Sequence, residues 1–233
     1  MAIHQLLQKL KGGLIVSCQP DAHDRQNDPM NIPAIMAALA RSAELGGAVG
    51  IRADGEEDIA AVRAAVRLPI IGIFKADLPG FEVRITPTLE HALRIIAAGA
   101  DIIALDGTAR PRPGGLSTTE FIRLVCRETG RPVFADISTL DEGIMAAGAG
   151  ADALLPTLSG YTSYSTQQEG PDFELIGALS ASVSVPVIAE GRINTPQEAA
   201  RALACGAWAV TVGSAITRPR SITERFVRGL AGK

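Results

Sequence analysis

Eight short apolar runs punctuate the chain, and each leads into a helix-like stretch. They are LIVSCQ (14–19), AVGIRA (48–53), IIGIFK (70–75), IIALD (102–106), VFADIS (133–138), ALLPT (153–157), VIAEG (187–191) and AVTVG (209–213). The runs are continuous and β-branched and show no apolar–polar alternation. A parallel sheet covered by helices on both faces requires that pattern.

The connecting stretches repeat. TLEHALRIIAAGAD (88–101), TLDEGIMAAGAGAD (139–152) and TPQEAARALACGAW (195–208) align over 14 residues without a gap. Each opens on a threonine able to cap a helix, and Thr139 with Glu142 and Thr195 with Glu198 fit the capping box. Pro196 stands at a first helical position, where its missing N–H costs least. Each segment closes near Gly-Ala, a helix stop, and ELGGAVGI places the same pair before the second strand. The even strands thus follow Gly-Ala. The third, fifth and seventh follow proline, in LPII, RPVF and VPVI. Eight βα units in two-step alternation predict a single-domain (β/α)8 TIM barrel over 1–233, with eight parallel strands and a C-terminal phosphate-binding site. A doubly wound open sheet is the alternative. It would not need the alternation, and no GxGxxG follows the first strand. The polar stretch TLSGYTSYSTQQEGPDFE (157–174) reads as a loop over the mouth.

Composition narrows the function. The 233 residues are 47% hydrophobic and 20% charged, with a net charge of −3. No basic excess points to nucleic acid, and no apolar stretch is long enough for a signal peptide or a membrane span. Cys18, Cys126 and Cys205 lie far apart and lack metal-type spacing, which together with the missing signal argues for the cytoplasm. Each reads as a small buried residue; Cys18, at a strand end, is the one position for a reactive thiol. His4, His23 and His91 share no spacing, so no metal site is expected. His91 reads as a packing or surface residue and His23 as a solvated loop residue. PRPGG (111–115) lacks the Lys-Ser/Thr of a phosphate loop and reads as a turn.

Barrel chemistry lies at the carboxyl ends of the strands. In order, that ring carries Gln19, Arg52, Lys75, Asp106, Asp136, then Thr157, Ser159 and Tyr161, then Glu190 and Arg192 about Gly191, and finally Gly213 and Ser214. Charges at the ends of apolar strands must pair with one another or with a ligand. A structural ring of salt bridges is the plain alternative, and Asp106 in LDGT reads best as a local loop cap. EGRINTP and VGSAITRP offer glycines, a serine and an arginine, suited to backbone contact with a phosphate and to a short helix adding its positive end.

Taken in order, LIVSCQ, GIRA, PIIGIFK, ITPT, IIALDGT, ADIST, TLSGYT, IAEGRINTP and VGSAITRP resemble the bacterial N-acetylmannosamine-6-phosphate 2-epimerases from about Leu14 to Phe226. The resemblance implies interconversion of N-acetylmannosamine 6-phosphate and N-acetylglucosamine 6-phosphate in sialic acid breakdown, with no cofactor. It implies Lys75 as the catalytic lysine and Glu190 as its partner carboxylate. Gln19, Arg52 and Asp136 would hold the sugar, joined by Tyr161 from the mouth loop. Gly191, Arg192, Gly213 and Ser214 fall in the phosphate segments. A lysine can remove a proton only when neutral, so burial near Arg52 should lower its pKa, while an ionised Glu190 close by would oppose this. A Schiff-base aldolase or lyase and a non-catalytic sugar-phosphate-sensing barrel stay open as alternatives. ITERFVRGL reads as the last barrel helix before a dimer contact, and a homo-oligomer is left open.

Overall fold

The computed structural model describes residues 3–21 and 24–231; His23 lies outside the described residues. Eight parallel strands form one sheet: β1 (Leu14–Cys18), β2 (Gly50–Asp54), β3 (Ile70–Ile73), β4 (Ile102–Asp106), β5 (Val133–Asp136), β6 (Ala153–Leu155), β7 (Ile188–Glu190) and β8 (Ala209–Val212). Their order is β6-β5-β4-β3-β2-β1-β8-β7. A single bridge, Leu154 to Val187, joins β6 to β7 and brings the barrel close to full closure. The helices are α1 (Ile3–Leu10), α2 (Pro33–Leu45), α3 (Glu56–Ala65), α4 (Leu89–Ala97), α5 (Thr118–Thr129), α6 (Leu140–Ala149), α7 (Phe173–Ser182), α8 (Pro196–Ala204), α9 (Ser214–Thr217) and α10 (Pro219–Leu230).

The repeat is what builds these connections. Thr88, Thr139 and Thr195 cap α4, α6 and α8, and the last two complete the capping box with Glu142 and Glu198. Ser117 with Glu120 forms a further box on α5 that the repeat does not contain. Gly47, Gly99, Gly150 and Gly206 take φ of +93° to +110°. After each glycine, the alanine N–H reaches back five residues: Ala48 to Ala43, Ala100 to Ile95, Ala151 to Ala146 and Ala207 to Ala202. This Schellman closure needs a residue without Cβ at the turn, which explains why the Gly-Ala pair recurs.

The prolines complete the two-step pattern. The carbonyls of Pro69, Pro132 and Pro186 accept from Ile51, Ile103 and Leu154, in the strand before. One residue on, Ile70, Val133 and Val187 accept from Asp101, Asp152 and Trp208, which open the strand after. Asp101 and Asp152 return the bond through their carboxylates, to the N–H groups of Ile70 and Val133. Each odd strand is therefore stitched at its start to both neighbours.

Strand parity then divides the side chains. Ile15, Ile71, Ile73, Ile102, Ala104, Phe134, Ile188 and Ala209 fill the barrel interior, with Leu6 and Leu10 of α1 in the same cluster. Val16, Ile51, Ile70, Ile103, Val133 and Leu154 pack outward against the helices. The same inward parity continues to Ser17, Arg52, Asp106, Asp136, Glu190 and Thr211 at the upper ends, so each inward row turns from apolar to polar as it climbs. α10 departs from expectation: none of its residues is buried, and Phe226, Val227 and Leu230 are exposed. No helix of the described residues is long and apolar enough to cross a membrane.

Candidate active site

Lys75 lies two residues beyond the end of β3, not on it. The chain turns out at Lys75 and returns to make an antiparallel bridge between Lys75 and Ile85, with Ala76 donating to the Arg84 carbonyl and Thr86 to that of Phe74. Thr86 secures this return. It is fully buried with φ +46°, an outlying conformation for a β-branched residue. Its hydroxyl accepts from the Phe74 N–H at 3.1 Å and donates to the Ala104 carbonyl at 2.6 Å. Residues 76–83 are thus a loop pinned at both ends.

The Lys75 Nζ donates to Gln19 Oε1 at 2.6 Å, and Gln19 in turn donates to Ser17 Oγ at 2.7 Å. Arg52 does not end its strand; β2 runs on to Asp54. Its guanidinium is 1% exposed, held by both oxygens of Asp136 (3.0 and 2.8 Å) and by Glu190 Oε2 (2.9 Å). Thr157 donates to the same Asp136 carboxylate. Asp136 stands behind Arg52, while Lys75, Glu190, Gln19, Arg52, Tyr161, Gly191, Arg192, Gly213 and Ser214 share one cavity of about 370 Å³. Its wall carries six basic and three acidic side chains, a balance suited to a phosphate.

Burial acts on both members of the expected pair. It pulls the Lys75 ammonium from its ordinary 10.5 to about 8; Asp54 and Glu190 oppose the fall, and Arg218 and Arg52 add to it. The Glu190 carboxyl is pushed up by burial and by the Asp136 charge, against the pull of Arg52 and Lys75. The tension foreseen between lysine and carboxylate is relieved by Arg52, which takes Glu190 as its own partner. Arg52 stays firmly protonated: burial disfavours its charge, and the two carboxylates outweigh that.

At the phosphate segments, Gly191 has φ +116° and Arg192 +55°. The expected cation is engaged elsewhere: Arg192 donates to the carbonyls of Gly170 and Ser159, both at 2.8 Å, and lies over the Tyr161 ring. It straps the mouth loop from the cavity wall. Gly213 precedes the short helix α9, which opens on Ser214. The basic group that sequence reasoning passed over here is Arg218. It lines the cavity, makes one long bond of 3.4 Å to the Pro20 carbonyl, and has a buried Nε without a partner among the described residues. Its signal was present in VGSAITRP.

Asp106 caps its loop as expected, accepting from the N–H and hydroxyl of Thr108, and it also holds Arg110 at 2.7 Å. Glu142 does more than cap α6: it also accepts from Ala109 N–H, Ser138 and the Tyr164 hydroxyl, tying three mouth loops together. Cys18 is buried and its thiol is pushed up to about 12, which removes it as a reactive group. His91 stacks on Phe74, a packing role. Among the described residues no group of three or more His, Cys, Asp or Glu is placed to hold a metal ion.

The family model described as "Putative N-acetylmannosamine-6-phosphate epimerase" matches residues 36–231. A relative from Caldanaerobacter subterraneus subsp. tengcongensis, named "Putative N-acetylmannosamine-6-phosphate 2-epimerase", is 52% identical over 223 residues, 95% of this chain and 92% of its own. One of the same name from Enterobacter sp. is 46% identical, covering 97% and 95%. The solved N-acetylmannosamine-6-phosphate 2-epimerase of Clostridium perfringens superposes with a TM-score of 0.91 at 44% identity, over 97% of both chains. A thiamine phosphate pyrophosphorylase from Pyrococcus furiosus, at 21% identity and a TM-score of 0.61, shares the fold alone.

Proposed function

We propose a C2 proton-transfer mechanism for this chain, which belongs to the N-acetylmannosamine-6-phosphate 2-epimerase family and is a carbohydrate epimerase. Its substrates are N-acetylmannosamine 6-phosphate and N-acetylglucosamine 6-phosphate, which differ only in configuration at C2. With the sugar ring open, C1 is an aldehyde and the proton on C2 becomes acidic. Neutral Lys75 takes that proton, and the electron pair moves through C1–C2 onto the aldehyde oxygen as an enolate. Return of a proton to the opposite face of C2 regenerates the aldehyde in the other configuration. No atom is gained or lost overall.

Glu190 assists ring opening or returns the proton, and its raised pKa suits a carboxyl that both holds and releases one. Arg52 and Gln19 steady the enolate oxygen and the N-acetyl group. Asp136 acts through Arg52, by fixing the guanidinium plane. Tyr161 covers the sugar from the mouth loop. The backbone at Gly191, Arg192, Gly213 and Ser214 receives the phosphate, with Arg218 as its counter-charge. The reading includes a cytoplasmic enzyme, supported by three free cysteines.

One observation carries the proposal: a lysine amine held at 2.6 Å by Gln19, its acidity brought to about 8, in the same cavity as the half-buried Glu190 carboxyl. Proton NMR of the protein with N-acetylmannosamine 6-phosphate in D₂O tests it. The H2 signal should vanish as the second epimer grows, without added cofactor. Lys75→Ala should lose about 10²–10⁴-fold in exchange while still binding the phosphate. Full turnover by that variant would remove Lys75 from the chemistry, and a borohydride-trapped adduct on Lys75 would favour Schiff-base chemistry instead.

A further inference from the structure

The parallel ladder between β2 and β3 ends abruptly. Register pairs Ala53 with Gly72 and Asp54 with Ile73, and the Gly55 N–H then donates to the Ile73 carbonyl at 2.9 Å. Evenly spaced ladder bonds would next take the Lys75 N–H to the Gly55 carbonyl. Gly55 cannot supply it in that direction. With φ +85° it turns the chain into α3, and its carbonyl accepts from Ile59. The Asp54 side chain fills the gap: Oδ1 accepts the Lys75 N–H at 2.8 Å. The other oxygen, Oδ2, accepts from Arg25 at 2.9 Å, and Arg25 stands 3.7 Å from Asp58 on α3. Asp54 is 2% exposed.

We propose that Asp54 is a positioning residue for Lys75, extending the strand ladder by one side-chain rung so that the amine stands over the substrate cavity. The inference rests on the reading of Lys75 as the C2 base and goes beyond it by naming what holds that base. Asp54 is also the strongest of the charges keeping Lys75 protonated, ahead of Glu190, with Arg218 and Arg52 acting the other way. The charged groups about the rung are Arg25 from the loop after β1, Asp58 from α3, Arg52 from β2, Glu190 from β7 and Arg218 before α10. A carboxylate here therefore has two separable effects. Its oxygen fixes the lysine backbone, and its charge sets how much amine is neutral.

Two substitutions separate them. Asp54→Asn keeps an oxygen able to accept the Lys75 N–H and removes the charge. Asp54→Ala removes both. The full-length protein with ¹⁵N-labelled lysine allows the Lys75 amine to be titrated directly by NMR, and C2 exchange in D₂O gives the pH dependence of kcat/KM. In Asp54→Asn the Lys75 titration should move to lower pH, by about half a unit or more, with kcat at high pH within about threefold of the parent. Arg25→Gln, which leaves the Asp54 charge less compensated, should move it the opposite way. Asp54→Ala should lose about 10–100-fold in kcat, a misplacement effect, with KM changed by less than about threefold. A Lys75 titration identical in the parent and Asp54→Asn would overturn the inference, as would parental kcat in Asp54→Ala. If Asp54→Ala does not fold, the opposed shifts in the other two variants decide the matter. Titrations that move while the exchange profile stays fixed would uphold Asp54 and remove Lys75 as the base, so the two claims fail separately.

Discussion

Replacing Arg52 with methionine should cost far more than the contacts of one surface arginine. The guanidinium is 1% exposed and makes three hydrogen bonds, two to Asp136 and one to Glu190. Methionine fills much of the volume but leaves the buried Asp136 and half-buried Glu190 carboxylates without their shared cation, with Thr157 the neighbour that still donates to Asp136. Breaking a buried pair by removing one partner costs about 3–5 kcal/mol. The unfolding entropy of a chain this size is roughly 0.5 kcal/mol/K, so Tm should fall by about 6–10 °C. The loss should depend on pH in a definite sense. Glu190 already titrates above its unfolded value in the parent, and loss of the Arg52 charge that holds it down should raise it further. A raised carboxyl weakens the fold fully above its folded pKa and is relieved as pH falls through that value toward the unfolded one. The difference in Tm should therefore shrink from pH 8 to pH 5. Calorimetry of the parent, Arg52→Met and the Arg52→Met/Glu190→Gln double variant reads this directly, and the second substitution should restore part of the loss. A Tm within about 2 °C of the parent at pH 8, or a deficit the same at both pH values, would refute the account of Arg52 as the clasp between two carboxylates.

Three further outcomes follow from neighbouring residues. Lys75→Met should raise Tm by about 2–4 °C at pH 7, because the depressed lysine weakens the folded state fully below pH 8 and is relieved as pH climbs toward 10.5; melts at pH 7 and pH 10 compare the gain, which should fade at the higher value. Arg218→Ala should raise KM for the sugar phosphate by about 10–100-fold through loss of a charge-assisted contact. It should also move the Lys75 titration upward, since Arg218 is among the charges that lower it; unchanged KM would show that the phosphate sits elsewhere. Thr86→Val keeps the shape and removes a hydroxyl that accepts from Phe74 and donates to Ala104. A loss of about 1–3 kcal/mol in denaturant unfolding is expected, with kcat reduced as the Lys75 turn loosens.

The barrel was legible because its repeat is chemical and local. Thr139 and Glu142, Thr195 and Glu198, and Gly150 each act within a few residues of themselves, so spacing alone exposes them. The charged rim was legible because an ammonium or carboxylate ending an apolar strand has few reasons to be there. Strand parity would have sharpened this, since Ile71, Ile73 and Lys75 share one inward row, as do Phe134 and Asp136. What escaped was partnership over long sequence distances. Nothing in EGRINTP reveals that Arg192 is claimed by carbonyls 22 and 33 residues away, or that Arg218 stands freer. Thr86 and Asp54 escaped because their work is done on the Lys75 turn, and a turn's return path is not written in its outgoing residues.

The seam between β6 and β7, held by one bridge at Leu154 and Val187, bears on how this enzyme meets heat. Six of the eight staves share ladders on both sides, while β6 and β7 meet across a single bridge; the seam is the place where thermal fluctuation should part the cylinder most cheaply. Glu190 rides on the seventh stave, across that gap from Asp136 and Thr157. A brief opening there should draw the carboxyl off the Arg52 guanidinium and return it without a cooperative transition. Turnover should accordingly decline several degrees before the melting endotherm begins, and recover on cooling, so that the working ceiling of the protein is set by one loose joint and not by the strength of its core.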